Sequence, residues 1–131
     1  MTEPSWLSED VVLAIHDEQL TIHGGGAGLR DAGMLASALE RPVNKWADEA
    51  AELPELAASY AFGLAKNHPF IDGNKRTALL APYTFLFIND VDFIVPEAEA
   101  AVAILALAAG EIDEDGLSRW IRDNWPKDMP A

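Results

Sequence analysis

The chain has 131 residues, half of them hydrophobic, and a formal net charge of −13, which suits one acidic globular domain with a substantial core. It has no cysteine, so disulfides, zinc–thiolate sites and cysteine nucleophiles are excluded. The acidic balance argues against nucleic-acid binding through the general surface, because phosphate contact needs basic patches.

The N-terminal stretch is acidic and lacks the basic and apolar regions of a signal peptide. The longest apolar run, 100–109, is shorter than the about 20 residues that cross a bilayer. We therefore expect a cytoplasmic protein with no membrane partner. No repeat or linker is visible, so we expect a single domain over 1–131 with loose ends at 1–6 and 126–131.

The first predicted helix follows Ser8, a residue type that caps helix N-termini. His16 and His23 lie seven residues apart on it and could share a face as half of a metal site. Packed or surface histidines are the better interpretation, because no third ligand lies beside them. The glycines between 24 and 28 are read as a plain connector, because their spacing does not match nucleotide-binding loops.

Asp31 is the predicted cap of a second helix, which should end at Arg41–Pro42 because the residue before a proline is pushed out of the helical region. A central helix should begin at Pro54, since the first helical residue needs no N–H. It should end near Asn67, before Pro69.

The stretch 68–77 follows this helix and concentrates the chemistry of the chain. His68 can accept a proton near neutral pH, and Asp72 can hold a divalent metal. Lys75 and Arg76 fall in the first turn of the next helix, where free N–H groups and the helix dipole favour anions. Base, metal ligand and phosphate site together predict transfer of a phosphate-containing group to a hydroxyl.

The next helix should span 74–88, with a kink at Pro82 that costs roughly 3 kcal/mol unless neighbours compensate. Another helix should start at Pro96 and stop at Gly110. Asp113 is the predicted cap of the last helix. The pattern predicts an all-α fold, a compact bundle of about six helices around its central pair.

The motif resembles the signature of the Fic/Doc family, roughly His-x-Phe-x-Asp/Glu-Gly/Ala-Asn-Gly/Lys-Arg, and the resemblance covers roughly residues 7 to 125. The matching residues are His68, Phe70, Asp72, Gly73, Asn74, Lys75 and Arg76. The Gly-Leu-Arg-Asp segment at 28–31 is also similar to Doc proteins. Lysine at position 75 is typical of the Doc (death-on-curing) toxins, whereas Fic enzymes that transfer AMP usually carry glycine there.

The resemblance implies a toxin of a toxin–antitoxin module that inhibits translation as a kinase. It would pass the γ-phosphate of ATP, with Mg²⁺, to a Ser or Thr hydroxyl of a protein target such as elongation factor Tu. A Phd-like antitoxin is the implied partner. An AMP transferase and a non-catalytic binder that blocks a translation factor are the alternatives.

The resemblance also implies roles for individual residues. His68 would take the proton of the target hydroxyl, Asp72 would carry Mg²⁺, and Lys75 and Arg76 would complete the catalytic set. The residues implied to bind nucleotide are Lys66, Gly73, Asn74, Lys75 and Arg76.

Two further features follow from the resemblance. The segment 42–47 would be a flap that aligns the target peptide, where Trp46 could cover the target or fold back onto the core. Leu80 stands where Doc proteins can carry a polar residue that supports the site.

Overall fold

A computed structural model describes residues 2–131, and Met1, part of the stretch predicted to be loose, lies outside them. The helices are α1 (Glu9–His23), α2 (Ala32–Glu49), α3 (Leu53–Asn67), α4 (Asn74–Ile88), α5 (Glu97–Ala108) and α6 (Glu114–Asp123). The described residues contain no strand, only an isolated bridge between Leu29 and Phe70. The predicted all-α fold with about six helices is confirmed. Within residues 2–131, no helix has the length and apolar character needed to cross a membrane.

The helix ends follow local sequence signals. The predicted caps Ser8, Asp31 and Asp113 are confirmed, since each side chain accepts a hydrogen bond from the backbone N–H three residues later. Pro96 is the residue before α5, and Gly110 follows its end with a φ of 78°. A left-handed residue there is best supplied by glycine.

Helix α3 is the centre of the molecule and packs against α2, α4, α5 and α6. Its side chains Leu56, Tyr60 and Leu64 are fully buried. A Cβ at Gly63 would lie 3.1 Å from the Cα of Ala38 in α2, so the absence of a side chain lets the two backbones approach closely.

The predicted helix end at Arg41–Pro42 is wrong, because α2 continues to Glu49. Proline removes one helical hydrogen bond and costs about 3 kcal/mol inside a helix. Here Leu35, Ala38 and Pro42 are buried together on one face of α2. The packing of that face against α3 offsets the local cost.

The flap expected at 42–47 is also wrong as a separate segment, since these residues are helical within α2. Trp46 is half-buried and packs edge-on against Trp6, with ring centroids 6.3 Å apart. It also contacts the main hydrophobic core, so the interpretation of Trp46 as a core residue is confirmed.

Helix α4 runs without interruption through Pro82, which is buried; the kink expected there stays a prediction. The single domain and the loose ends also stay predictions. Both ends do make contacts: the backbone N–H of Ser5 donates to Oδ1 of Asn89 at 2.8 Å, and Met129 packs against the core.

Candidate active site

A tight turn between α3 and α4 carries the predicted site. His68 ends α3 with a φ of 48°, and Gly73 precedes α4 with a φ of 80°. Glycine adopts a positive φ without the steric cost that a Cβ would add. A left-handed histidine costs on the order of 1 kcal/mol, so the surrounding contacts must hold the turn in place.

Arg30 supplies much of that support. Its Nε donates to the carbonyl of His68 at 2.7 Å, and its Nη2 donates to the carbonyl of Asn67 at 2.8 Å. The backbone N–H groups of Arg30 and Asp31 both donate to the carbonyl of Pro69. The Gly-Leu-Arg-Asp segment therefore satisfies carbonyls at the end of α3 and fixes the backbone of the predicted base.

Asn74 closes the turn from the other end. Its Oδ1 accepts from the N–H of Phe70 and its Nδ2 donates to the carbonyl of Phe70, both at 2.9 Å. Both residues are buried, so Phe70 anchors the turn in the core. The side chain of Asn74 therefore bonds within the turn. Only the backbone N–H of Asn74 is left to bind an anion.

The start of α4 has the properties of an anion site. Among residues 2–131, the N–H groups of Asn74, Lys75 and Arg76 have no hydrogen-bond partner, and the first turn holds no acidic residue. Within the same residues, Lys75 and Arg76 are exposed and form no ion pair. Two unpaired cations beside the positive end of a helix dipole repel it, and a bound anion would relieve that repulsion.

A cavity of about 620 Å³ lies at this point. The predicted site residues that line it are His68, Asp72, Gly73, Asn74, Lys75 and Arg76. Lys66 is not among the lining residues; its Nζ donates to the carbonyl of Ala108, at the end of α5, at 3.4 Å. The structure therefore brings together every predicted site residue except Lys66.

The glycine loop after α1 is a connector, as expected, and it also lines the cavity through Gly24 and Gly25. A Cβ at Gly25 would lie 2.6 Å from Oδ2 of Asp72. Glycine is needed here for close approach to the carboxylate. The glycine run was visible in the sequence, but nothing in it indicated contact with Asp72.

The opposite wall is apolar and was not predicted. It is formed by Leu79 of α4 and by Ala101, Ile104 and Leu105 of α5. In the sequence these residues look like any core-facing helix positions. Leu80, which stands where Doc proteins can carry a polar residue, does not line the cavity.

The carboxylate of Asp72 is exposed, and its Oδ1 accepts from the N–H of Gly73 at 2.8 Å. Residues 2–131 contain no cluster of three or more potential metal ligands. A magnesium ion typically takes one or two protein carboxylates and completes its shell with phosphate and water. One carboxylate on the wall of an anion site fits that pattern. Of the two histidines of α1, His16 is buried beneath the turn and His23 is exposed at the cavity wall.

The sequence is similar to a known protein family and to two named relatives. The Fic/DOC family profile matches residues 6–86, more than half of the chain. A relative from Escherichia phage P1, named protein kinase doc, is 32% identical over 117 residues, which cover 88% of this chain and 92% of the relative. A relative from Mycolicibacterium smegmatis, named toxin Doc, is 40% identical over 96 residues, covering 69% of this chain and 74% of the relative.

Proposed function

The chain belongs to the Fic/DOC family, and from that premise we propose that it is a transferase of the Doc kinase type. Its substrates are ATP and a Ser or Thr hydroxyl of a protein, with elongation factor Tu as the first candidate. It acts as the toxin of a toxin–antitoxin module in the cytoplasm and inhibits translation. The names of the two relatives, a protein kinase and a toxin, support this assignment.

The observation that carries the proposal is the start of α4. Three backbone N–H groups and two cations that have no partner within residues 2–131 border the same cavity as one carboxylate and an exposed histidine. Phosphoryl transfer needs mainly positioning and charge stabilisation. This arrangement supplies both, together with a base.

In the proposed mechanism the amides of residues 74–76 and the side chains of Lys75 and Arg76 bind phosphate oxygens. His68 accepts the proton as the target oxygen bonds to the γ-phosphorus. The bond from that phosphorus to the bridging oxygen breaks, and ADP leaves. Asp72 would hold Mg²⁺, which supplies positive charge that neutralises the phosphates.

Lys75 supports transfer of the terminal phosphate. Glycine at this position would leave room for a phosphate deep against the backbone, whereas lysine fills that room and adds a charge. Attack at the α-phosphorus instead would expel pyrophosphate and leave AMP on the target. The AMP-transfer alternative uses the same residues. It is distinguished from the kinase by the group that is left on the target.

The deciding experiment is the intact mass of elongation factor Tu after incubation with the protein, ATP and Mg²⁺. We expect a gain of one phosphoryl group, abolished by His68→Ala with the circular dichroism spectrum unchanged. Lys75→Ala should reduce the yield strongly, and Lys66→Ala, which removes an exposed lysine outside the cavity, should not.

The other outcomes are equally informative. A gain of AMP identifies the transferase alternative. If elongation factor Tu gains no mass, the next experiment is the same reaction on whole lysate with labelled ATP. Label that depends on His68 then identifies another target, and its absence contradicts the enzyme and favours a protein that acts by binding alone.

We propose that a Phd-like antitoxin holds the toxin inactive. Expression of the chain alone should arrest growth, and co-expression of its cognate antitoxin should restore it. Restoration without formation of a complex between the two proteins would contradict direct inhibition.

A further inference from the structure

His16 of α1 lies directly beneath the catalytic turn, 56 residues away in sequence. Its side chain is only 2% exposed, and its ring stacks on Phe70 with centroids 3.8 Å apart and planes 8° from parallel. Its Nε2 lies 2.7 Å from the carbonyl oxygen of Asp72. A carbonyl can only accept, so Nε2 carries the proton and donates it.

This hydrogen bond acts on the peptide unit between Asp72 and Gly73. His16 holds the oxygen of that unit, and Oδ1 of Asp72 accepts from its N–H. The peptide plane is therefore held at both ends. Because one of these contacts is the carboxylate of Asp72 itself, the orientation of the plane and that of the carboxylate are linked.

The imidazole also borders Gly73, the residue that precedes α4. A Cβ at Gly73 would lie 3.4 Å from Cδ2 and 3.5 Å from Nε2 of His16. The edge of the His16 ring therefore contacts the backbone of Gly73, immediately before the N–H groups at the start of α4.

We propose that His16 is a positioning residue for the active site. By donating from Nε2 to the carbonyl of Asp72, it orients the Asp72–Gly73 peptide and with it the Asp72 carboxylate. The consequence for catalysis rests on the proposed function, but the effect on the turn does not.

The competing explanation is that His16 only fills space under Phe70. Packing depends on the flat ring, whereas positioning depends on the N–H group, so two substitutions separate them. His16→Phe keeps the ring and removes the donor. His16→Gln loses the ring but keeps an amide N–H that can reach the same carbonyl.

The first measurement is amide hydrogen exchange of Gly73 in the free protein, followed by NMR. We expect exchange about tenfold faster in His16→Phe, as follows from loss of one part-buried hydrogen bond, and near the wild-type rate in His16→Gln. His16→Asn, whose amide is one methylene too short, should match His16→Phe and replaces it where the Phe variant does not fold. Wild-type exchange in the Phe or Asn variant overturns the proposal.

The second measurement is the Mg²⁺ dependence of phosphoryl transfer. In His16→Phe we expect the Mg²⁺ concentration for half-maximal rate to rise about tenfold, with the rate at saturating Mg²⁺ changed less than threefold. His16→Gln should restore it. Val12→Ala, a change in the buried face of the same helix, controls for general loosening of α1. An unchanged Mg²⁺ requirement in an active His16→Phe enzyme overturns the proposed effect on Asp72. If the wild-type protein transfers no phosphate, the NMR result still decides the positioning of the turn.

Discussion

Gly25 and Asp72 are 47 residues apart in sequence, yet the absence of a side chain at one gives room for the carboxylate of the other. A Cβ at Gly25 would lie 2.6 Å from Oδ2 of Asp72, whereas a Cβ at Gly24 would meet nothing within 4 Å. Both glycines have positive φ, so alanine strains the backbone at either position. Alanine substitutions at the two positions therefore share the backbone strain and differ in contact with Asp72.

We expect Gly25→Ala to displace the Asp72 carboxylate and lower the rate of phosphoryl transfer by at least about tenfold, since a misplacement of about 1 Å can cost a hundredfold. Gly24→Ala should keep most of the activity. The check is the transfer rate of both variants at saturating Mg²⁺, with thermal melts to match their stabilities. Equal losses in the two variants would mean that backbone strain, not contact with Asp72, limits the loop.

Tyr60 is a buried residue whose ionisation makes the stability of the protein depend on pH. Its oxygen accepts from the N–H of Leu7 at 3.0 Å, and burial raises its pKa from 10.0 to about 12. Because of the raised pKa, Tyr60 stays protonated to a higher pH in the folded state than in the unfolded state. The contribution of protonated Tyr60 to the unfolding free energy is complete below pH 10 and is lost as the pH rises towards 12.

From this shift we expect the wild-type protein to lose roughly 1.4 kcal/mol more unfolding free energy than Tyr60→Phe between pH 8 and pH 11. At pH 8 the Phe variant should already be less stable by about 1 kcal/mol, because the N–H of Leu7 loses its partner. Urea unfolding at the two pH values measures both differences. Parallel pH dependence in the two proteins would contradict the assigned shift.

At the scale of elements, the turn between α3 and α4 is organised by local contacts that are readable from sequence. Proline follows the end of α3, glycine takes the left-handed position before α4, and Asn74 bonds back to Phe70 four residues earlier. The boundaries of both helices were therefore predictable. The role of the Asn74 side chain was not, because an asparagine at a helix start is equally compatible with binding a phosphate.

Replacement of Asn74 by alanine should destabilise the protein by about 2–3 kcal/mol, because it leaves the buried N–H and carbonyl of Phe70 without partners. Lys75→Ala, the next residue and exposed, should stay within about 0.5 kcal/mol of the wild type. Chemical denaturation of the pair gives the difference. Loss of nucleotide binding in Asn74→Ala at wild-type stability would show instead that the side chain acts on the ligand.

Helix α2 shows where local rules fail at this scale. Proline at position 42 predicts the end of the helix, and the family resemblance implies a flap at 42–47, but both are helical within α2. Burial of one face of α2 on α3, with Ala38 against Gly63, holds the helix through the proline. Rules based on neighbouring residues in the sequence cannot predict packing between residues that are far apart in the chain.

At the scale of the whole molecule, Arg122 of α6 ties the end of the chain to the start of α3. Its guanidinium donates to both carboxylate oxygens of Glu55 at 2.7 Å and to Glu52 at 3.0 Å. The hydrogen bond with Glu55 contributes most to raising the pKa of Arg122 above its usual range. All three side chains are partly exposed, so solvent weakens the interaction.

We expect Arg122→Ala to lower the unfolding free energy by about 1 kcal/mol, with the effect reduced near 1 M salt by screening. Arg119→Ala, on the same helix and without an ion pair among residues 2–131, should change it by less than about 0.5 kcal/mol. Urea melts at low and high salt test both. A loss for Arg122→Ala that does not depend on salt would assign its effect to packing of the side-chain stem.

The sequence by itself determined the presence of six helices, the caps at Ser8, Asp31 and Asp113 and the residue types of the turn, because these depend on residues within about four positions of one another. It did not determine the end of α2. It placed the proposed base, the carboxylate and the two cations on one short segment, and its motif indicated the family. Only the tertiary structure decided the rest: His16 beneath the turn, Gly25 against the carboxylate, the apolar wall from α5, and the exclusion of Lys66 from the cavity. Each of these depends on which distant segments pack together, and that packing is set by burial across the whole bundle rather than by local pattern.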